Sequence, residues 1–199
     1  MIIGFLGTGV ITEAIIRGLY DAAHYEGTIL VSRRSEERSQ RLSETYPNVR
    51  VVDQNQELAE QCDWIVVSVL PQQVSEVLSE LSIRQDQKVV SLAAGVSLDE
   101  LRIAAAPATD VVRVIPMPPI EHGLGPVALC PPDDATQALF HRIGTCVAVL
   151  DENQFNLFGA TSALMADFYD QVAGVTRWMN EKGLDLPTAA SYTTALYHA

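Results

Sequence analysis

Between residue 1 and about residue 150, short runs rich in β-branched residues alternate with amphipathic stretches, and that alternation leaves few folds open. The runs are Ile2 to Leu6, Thr28 to Ser32, Val49 to Val52, Trp64 to Val69, Lys88 to Leu92, Val111 to Ile115, Val127 to Cys130 and Val147 to Leu150. Several are apolar at successive positions, as strands are when helices cover both faces of a sheet. The pattern predicts an α/β fold built on a doubly wound, mainly parallel sheet.

The intervening helices are marked by their caps. Ser35 precedes Glu36 and Glu37, Ser97 and Glu100 have capping-box spacing, and Asp133-Asp134 precede a helix predicted from Ala135 to Ile143 that closes at Gly144. Each places acid at a positive helix start. Met117-Pro118-Pro119 suits neither a sheet interior nor a helix interior, so the chain should turn there, near the mouth of the sheet.

After Asp151 the character changes. Leu164, Phe168, Val172, Val175 and Met179 recur at helical spacing and predict one long helix closing at Lys182-Gly183. A second helix should start at Pro187 and still be running at Ala199, offering Tyr192, Leu196 and Tyr197 to a partner. A chain that stops in mid-helix reads as incomplete or as part of an oligomer. The expected organisation is a nucleotide-binding part, 1–150, followed by a partial helical region, 151–199, for dimerisation and substrate contact. A homodimer or higher homo-oligomer is the expected assembly.

Charge narrows the partners. With 25 acidic against 13 basic residues the net charge is -12, a field that repels nucleic-acid phosphates and anionic membranes. No uncharged run approaches the roughly 20 residues of a membrane helix. The apolar start Met1 to Phe5 lacks the basic region of a signal peptide, so a cytoplasmic location is expected. Cys62, Cys130 and Cys146 are far apart and form no CxxC pair, which argues against a disulfide framework and against a metal site.

The chemistry is carried first by Gly4-Phe5-Leu6-Gly7-Thr8-Gly9-Val10-Ile11-Thr12, between the first strand and a helix predicted from Thr12 to Tyr20. Gly7 permits a tight turn, and Gly9 lets a pyrophosphate approach the backbone. The free N–H groups and dipole of the following helix would then hold it, with Thr8, Val10 and Ile11 as further candidate cofactor contacts. Thr12 stands where such Rossmann-type loops usually carry a third Gly or Ala, so helix and strand should pack differently there.

The end of the second strand selects the dinucleotide. NAD sites usually place a carboxylate there, whereas this chain reads Val31-Ser32-Arg33-Arg34-Ser35. Arginine binds a phosphate through a planar fork of donors, and the Ser32 and Ser35 hydroxyls can add hydrogen bonds. The expected cofactor is therefore NADP(H), with its 2′-phosphate at Arg33 and Arg34.

The segments Ile3 to Gly9 and Glu13-Ala14-Ile15-Ile16-Arg17-Gly18-Leu19 resemble the opening of pyrroline-5-carboxylate reductases. Asn55, Glu57 and Asp63 are similar to that family's Asn-x-Glu followed by Ser-Asp, and the resemblance implies that Asn55 touches the adenosine end of NADP. Ser68-Val69-Leu70-Pro71-Gln72 resembles its Ala-Val-Lys-Pro-Gln loop, and Ser91-Leu92-Ala93-Ala94-Gly95-Val96-Ser97 its Ile-Ala-Ala-Gly-Ile stretch. By that resemblance Val69, Leu70, Pro71, Ala93, Ala94 and Gly95 would line the nicotinamide half of the cleft. Arg113-Val114-Ile115-Pro116 resembles Arg-Val-Met-Pro.

The departures cluster on the substrate side. Met117-Pro118 replaces the family's Asn-Thr, Leu70 replaces a lysine, and Gly159-Ala160-Thr161-Ser162-Ala163 replaces Ser-Gly-Ser-Gly-Pro. The family's later Ser-Pro-Gly-Gly-Thr run is absent from a sequence that ends at Ala199. Met117, Thr161 and Ser162 are the candidate substrate contacts, the last two at an expected helix start that would cradle a carboxylate. No catalytic acid or base is assigned.

The reading is an NADPH-dependent imine reductase resembling the proline-forming enzymes. Two alternatives stay open: an NADP-dependent dehydrogenase of the β-hydroxyacid type, and a non-catalytic NADP-binding module. The former would carry a catalytic lysine on the long helix, and Lys182 lies at that helix's far end. Glu121 and His122 read as a solvated loop, His24, His141 and His198 as surface or satisfied interior residues, and Asp167 and Tyr169 as core or interface positions.

Overall fold

The computed structural model describes residues 1–198. Expectations that fall on Ala199 and on the side chain of His198 lie outside the described residues. Eight strands, β1 (Ile2–Leu6), β2 (Thr28–Ser32), β3 (Val49–Val52), β4 (Trp64–Val67), β5 (Lys88–Ser91), β6 (Asp110–Pro116), β7 (Pro126–Cys130) and β8 (Thr145–Ala148), form one sheet in the order β3-β2-β1-β4-β5-β6-β7-β8. Every pairing is parallel except β6 with β7. This is the doubly wound, mainly parallel sheet that the apolar runs predict. The last strand lies a little earlier than expected, at Thr145–Ala148 instead of Val147 to Leu150, and Leu150 is 82% exposed.

The helices of the sheet unit are α1 (Val10–Arg17), α2 (Glu36–Thr45), α3 (Asn55–Gln61), α4 (Val74–Ser79), α5 (Leu98–Ala104) and α6 (Asp134–Phe140). Ile15, Ile16 and Leu19 bury one face of α1 and the turn after it against Phe5, Ile29 and Ile120 in the core. The Ser97 and Glu100 capping box forms as expected, and the Asp133 side chain accepts from the Thr136 N–H. Ser35 makes no side-chain cap on α2, so that expectation is corrected. Helix α1 begins at Val10, earlier than Thr12, and runs into a wider five-residue turn, Gly18–Ala22. Gly18 is required there because a Cβ would lie 2.2 Å from the Ile120 carbonyl oxygen.

Pro118–His122 form a single tight turn between β6 and β7, closed by Gly123 at φ 73°, which accounts for the one antiparallel step in the sheet. On the edge away from the strands' carboxyl ends, Lys88 is 8% exposed in its side chain. Its Nζ lies 2.7 Å from Asp110 and 2.9 Å from Asp133, over the Trp64 ring. Burial opposes ionisation of Asp133, but hydrogen bonds from Thr136 and Lys88 outweigh it and hold that carboxyl below its usual range.

The chain divides into two compact units, Met1–Asn156 and the residues from Leu157 on. The division falls inside a helix, α7 (Glu152–Ser162), whose first turns are anchored to the sheet unit. Glu152 accepts from the Leu98 N–H at 2.7 Å and from the guanidinium of Arg113, and Phe155 is fully buried beneath that same guanidinium.

The second unit holds α8 (Leu164–Glu181) and α9 (Leu186–His198). Helix α8 closes at Lys182 with Gly183 at φ 100°, as the apolar spacing and Lys-Gly pair predict, and Pro187 sits in the first turn of α9. No helix among the described residues is long and apolar enough to cross a membrane.

Candidate active site

The site begins where β1 ends. In a sheet ordered β2-β1-β4, the chain leaves β1 toward one side and β4 toward the other, which opens a crevice at their carboxyl ends. Gly7 turns at φ 98°, and a Cβ on it would lie 2.4 Å from the Ser68 carbonyl oxygen at the end of β4. Only glycine permits that approach. Gly9 is different: it has φ −85°, and a Cβ there would meet nothing within 4 Å. The space beside Gly9 is open where a pyrophosphate would need it.

No side chain caps α1, so the first-turn N–H groups of Val10, Ile11 and Thr12 have no intrahelical partner. Thr12, in place of the usual small residue, is fully buried. Its Oγ1 donates to the Gly7 carbonyl at 2.8 Å and lies 2.8 Å from Ser68 Oγ. The different packing expected at Thr12 is thus a hydroxyl that ties the loop to β4.

A second clasp ties the loop to β2. The Gly7 N–H donates to Ser32 Oγ at 2.8 Å, and Thr8 Oγ1 donates to the Ser32 carbonyl at 2.6 Å. The Thr8 side chain is buried in this clasp, and the Gly7 N–H is already paired. Ser32 keeps its own hydroxyl proton as a donor.

Behind the loop, Glu13 accepts from Arg17, Arg38 and Arg41. Burial opposes ionisation of Glu13, but the three arginines outweigh it and hold its carboxyl below the usual range. Arg38 also donates to the Thr8 carbonyl at 3.3 Å.

Gly7, Ser32, Arg33, Arg34, Asn55 and Val69 line one cleft of about 370 Å³, together with Asp53. Six residues named from the sequence thus meet at one place. Arg34 is exposed and has no ion-pair partner among the described residues, whereas Arg33 lies 2.6 Å from Asp53 and 3.6 Å from Glu36. Sequence reasoning passed over Asp53 and Arg38. An acid directly after an apolar run would have marked Asp53, and the three-residue spacing of Arg38 and Arg41 on α2 would have marked Arg38.

Other expected residues lie outside that cleft. Leu70 and Pro71 are exposed after β4, and Ala94 and Gly95 are exposed after β5, with Gly95 at φ 79° and Ala93 buried. Met117 is half-buried after β6. All three loops follow the carboxyl ends of neighbouring strands, the edge on which such sheets bind ligands.

Thr161 and Ser162 end α7; they do not start a helix. Both hydroxyls donate back to the Phe158 carbonyl, at 3.0 and 2.7 Å, as Ser and Thr do within helices. Ala163 stays helical at φ −62°, so the expected uncapped start with aligned N–H groups is absent at these residues. No group of three or more His, Cys, Asp or Glu suited to a metal occurs among the described residues.

Comparison with known proteins agrees with this geometry. The family described as NADP oxidoreductase coenzyme F420-dependent matches residues 2–95. The pyrroline-5-carboxylate reductase of Corynebacterium melassecola is 37% identical over 128 residues, covering 62% of this chain and 47% of that protein. That of Escherichia coli is 30% identical over 182 residues, covering 87% of this chain and 62% of that protein. The chain thus spans about half to three fifths of the length of these two relatives. The crystal structure of Plasmodium falciparum pyrroline carboxylate reductase with NADP bound shares the fold, with a TM-score of 0.83 at 18% identity, covering 98% of this chain and 75% of that one. With its glycine loop and sheet order as described, the chain is similar to the pyrroline-5-carboxylate reductases in sequence and in fold.

Proposed function

We propose that this chain binds NADP(H) in the cleft at the ends of β1 and β2 and acts as an NADPH-dependent reductase of a small cyclic imine. One observation carries the reading: the Gly7 turn, Ser32 and two arginines line a single cleft, and the helix that follows the turn starts uncapped beside an open Gly9. The residues fit the cofactor. The N–H groups of Val10 and Ile11 would hold the pyrophosphate, Arg34 and Arg33 the 2′-phosphate with the Ser32 hydroxyl, and Asn55 the adenosine. The relative from Plasmodium falciparum, which holds NADP, supports this choice.

Bound NADPH supplies a hydride to the imine carbon while a proton reaches the nitrogen, giving a secondary amine and NADP⁺. The loops at Leu70 and Pro71 and at Ala93 to Gly95 would border the nicotinamide and keep water from it. Met117, Thr161 and Ser162 remain the proposed substrate contacts. To meet a carboxylate, Thr161 and Ser162 would have to turn their hydroxyls away from Phe158.

The test is NADPH oxidation by the purified chain with a panel of cyclic imino acids and of keto acids. The expected result is oxidation with an imino acid alone, and a Thr161→Val variant with KM raised by about fivefold and unchanged NADPH affinity. Oxidation with keto acids alone would overturn the imine assignment. NADPH binding without turnover on either panel would favour a non-catalytic module.

The same reading includes a cytoplasmic, homo-oligomeric protein. In the second unit Leu164, Tyr169, Trp178, Tyr192 and Leu196 are each more than half exposed, a density of open apolar side chains that a second copy would cover. Light scattering at micromolar concentration should give a dimer or larger species. A monomer would contradict the assembly.

A further inference from the structure

Arg33 and Arg34 are adjacent in sequence but not equivalent in the cleft. Arg34 has no acidic partner among the described residues, while the Arg33 guanidinium is held at 2.6 Å by Asp53, which lines the same cleft. The pairing follows from the sheet. Ser32 is in register with Val52, and the Arg33 N–H donates to the Val52 carbonyl at 3.2 Å, so the residues just beyond the two strand ends stand side by side. Glu36 lies farther from Arg33, at 3.6 Å, on the first turn of α2 and outside the cleft lining.

The two side chains are 51% and 66% exposed, and ion pairs so open to water add little to stability. What the pair does determine is where the Arg33 fork points and what an incoming anion must displace. We propose that Asp53 is a specificity-determining residue that competes with the cofactor's 2′-phosphate for Arg33 and thereby limits the preference for NADPH over NADH. The proposal rests on the NADP(H) reading above. To take a phosphate, Arg33 must release the carboxylate, and that carboxylate stays at the wall beside the new anion. A ribose without the phosphate meets no such opposition, and its hydroxyls can donate to Asp53.

The experiment is titration of the purified 199-residue chain with NADPH and NADH, and with adenosine 2′,5′-bisphosphate and adenosine 5′-monophosphate, at fixed ionic strength. It compares the unmodified chain, Asp53→Asn, Arg33→Ala and the double variant. Asp53→Asn keeps the size and removes the charge. It should raise the NADPH to NADH affinity ratio about tenfold, a change of about 1.4 kcal/mol. Binding of the bisphosphate should tighten in parallel, and the gain should vanish when Arg33 is alanine. A ratio that stays the same or falls in Asp53→Asn, or a gain that persists without Arg33, would overturn the role of Asp53 while leaving the cofactor reading intact. Absence of dinucleotide binding by the unmodified chain would overturn both.

Discussion

Changing Arg33 and Arg34 together to alanine should lower NADPH affinity by about one to two orders of magnitude and leave NADH affinity nearly unchanged. Charge-assisted hydrogen bonds contribute about 1.5–3 kcal/mol each, and about 1.4 kcal/mol is tenfold in affinity. The low end of that range applies because both side chains are exposed and Arg33 must first give up Asp53. The single variants should differ for the same reason. Arg34→Ala should cost more NADPH affinity than Arg33→Ala, since the second change removes a contact already offset by the lost ion pair. Calorimetric titration of the three variants measures this, and a larger loss from Arg33→Ala would show that Asp53 orients the guanidinium for the phosphate.

The glycine loop should separate folding from binding. In Gly7→Ala the new Cβ meets the backbone of Ser68 at 2.4 Å in a residue with φ 98°, and a strand-end carbonyl cannot move aside as a side chain would. A loss of roughly 2–4 kcal/mol is expected, which for a chain of this length lowers Tm by about 5–15 °C. Gly9→Ala meets open space at φ −85° and should leave Tm unchanged. Its methyl group would enter the volume that the pyrophosphate needs, so NADPH binding should weaken at least tenfold. Thermal unfolding and NADPH titration of both variants test the assignment. A Gly9→Ala variant that binds like the unmodified chain would move the pyrophosphate elsewhere.

Much of the sheet was legible because its strands are buried on both faces. Ile2 to Leu6, Thr28 to Ser32 and Val49 to Val52 are bounded as expected, since β-branched runs between turn residues have few other places to go. Helix α7 was missed because its sheet-facing anchor is a single buried residue, Phe155, too little for an apolar stripe. Thr161 and Ser162 consequently looked like a helix start when they close one.

The polar clasps at the site were hidden for another reason. Ser32 reaches the loop residues Gly7 and Thr8 across 25 and 24 positions of sequence, and Asp53 reaches Arg33 only because β3 pairs with β2. Residue type predicted what binds a phosphate. It could not indicate that the Thr8 hydroxyl already serves the Ser32 carbonyl or that Arg33 is already paired with Asp53.

The central claim is that the cleft at Gly7, Ser32, Arg33 and Arg34 is built for a phosphorylated adenosine ribose. Parallel titration of the unmodified chain with NADPH and NADH in one buffer tests it most directly. Saturable binding of both is expected, with NADPH at least tenfold the tighter and a preference that shrinks as salt screens the arginines. Equal affinity for the two cofactors would contradict it.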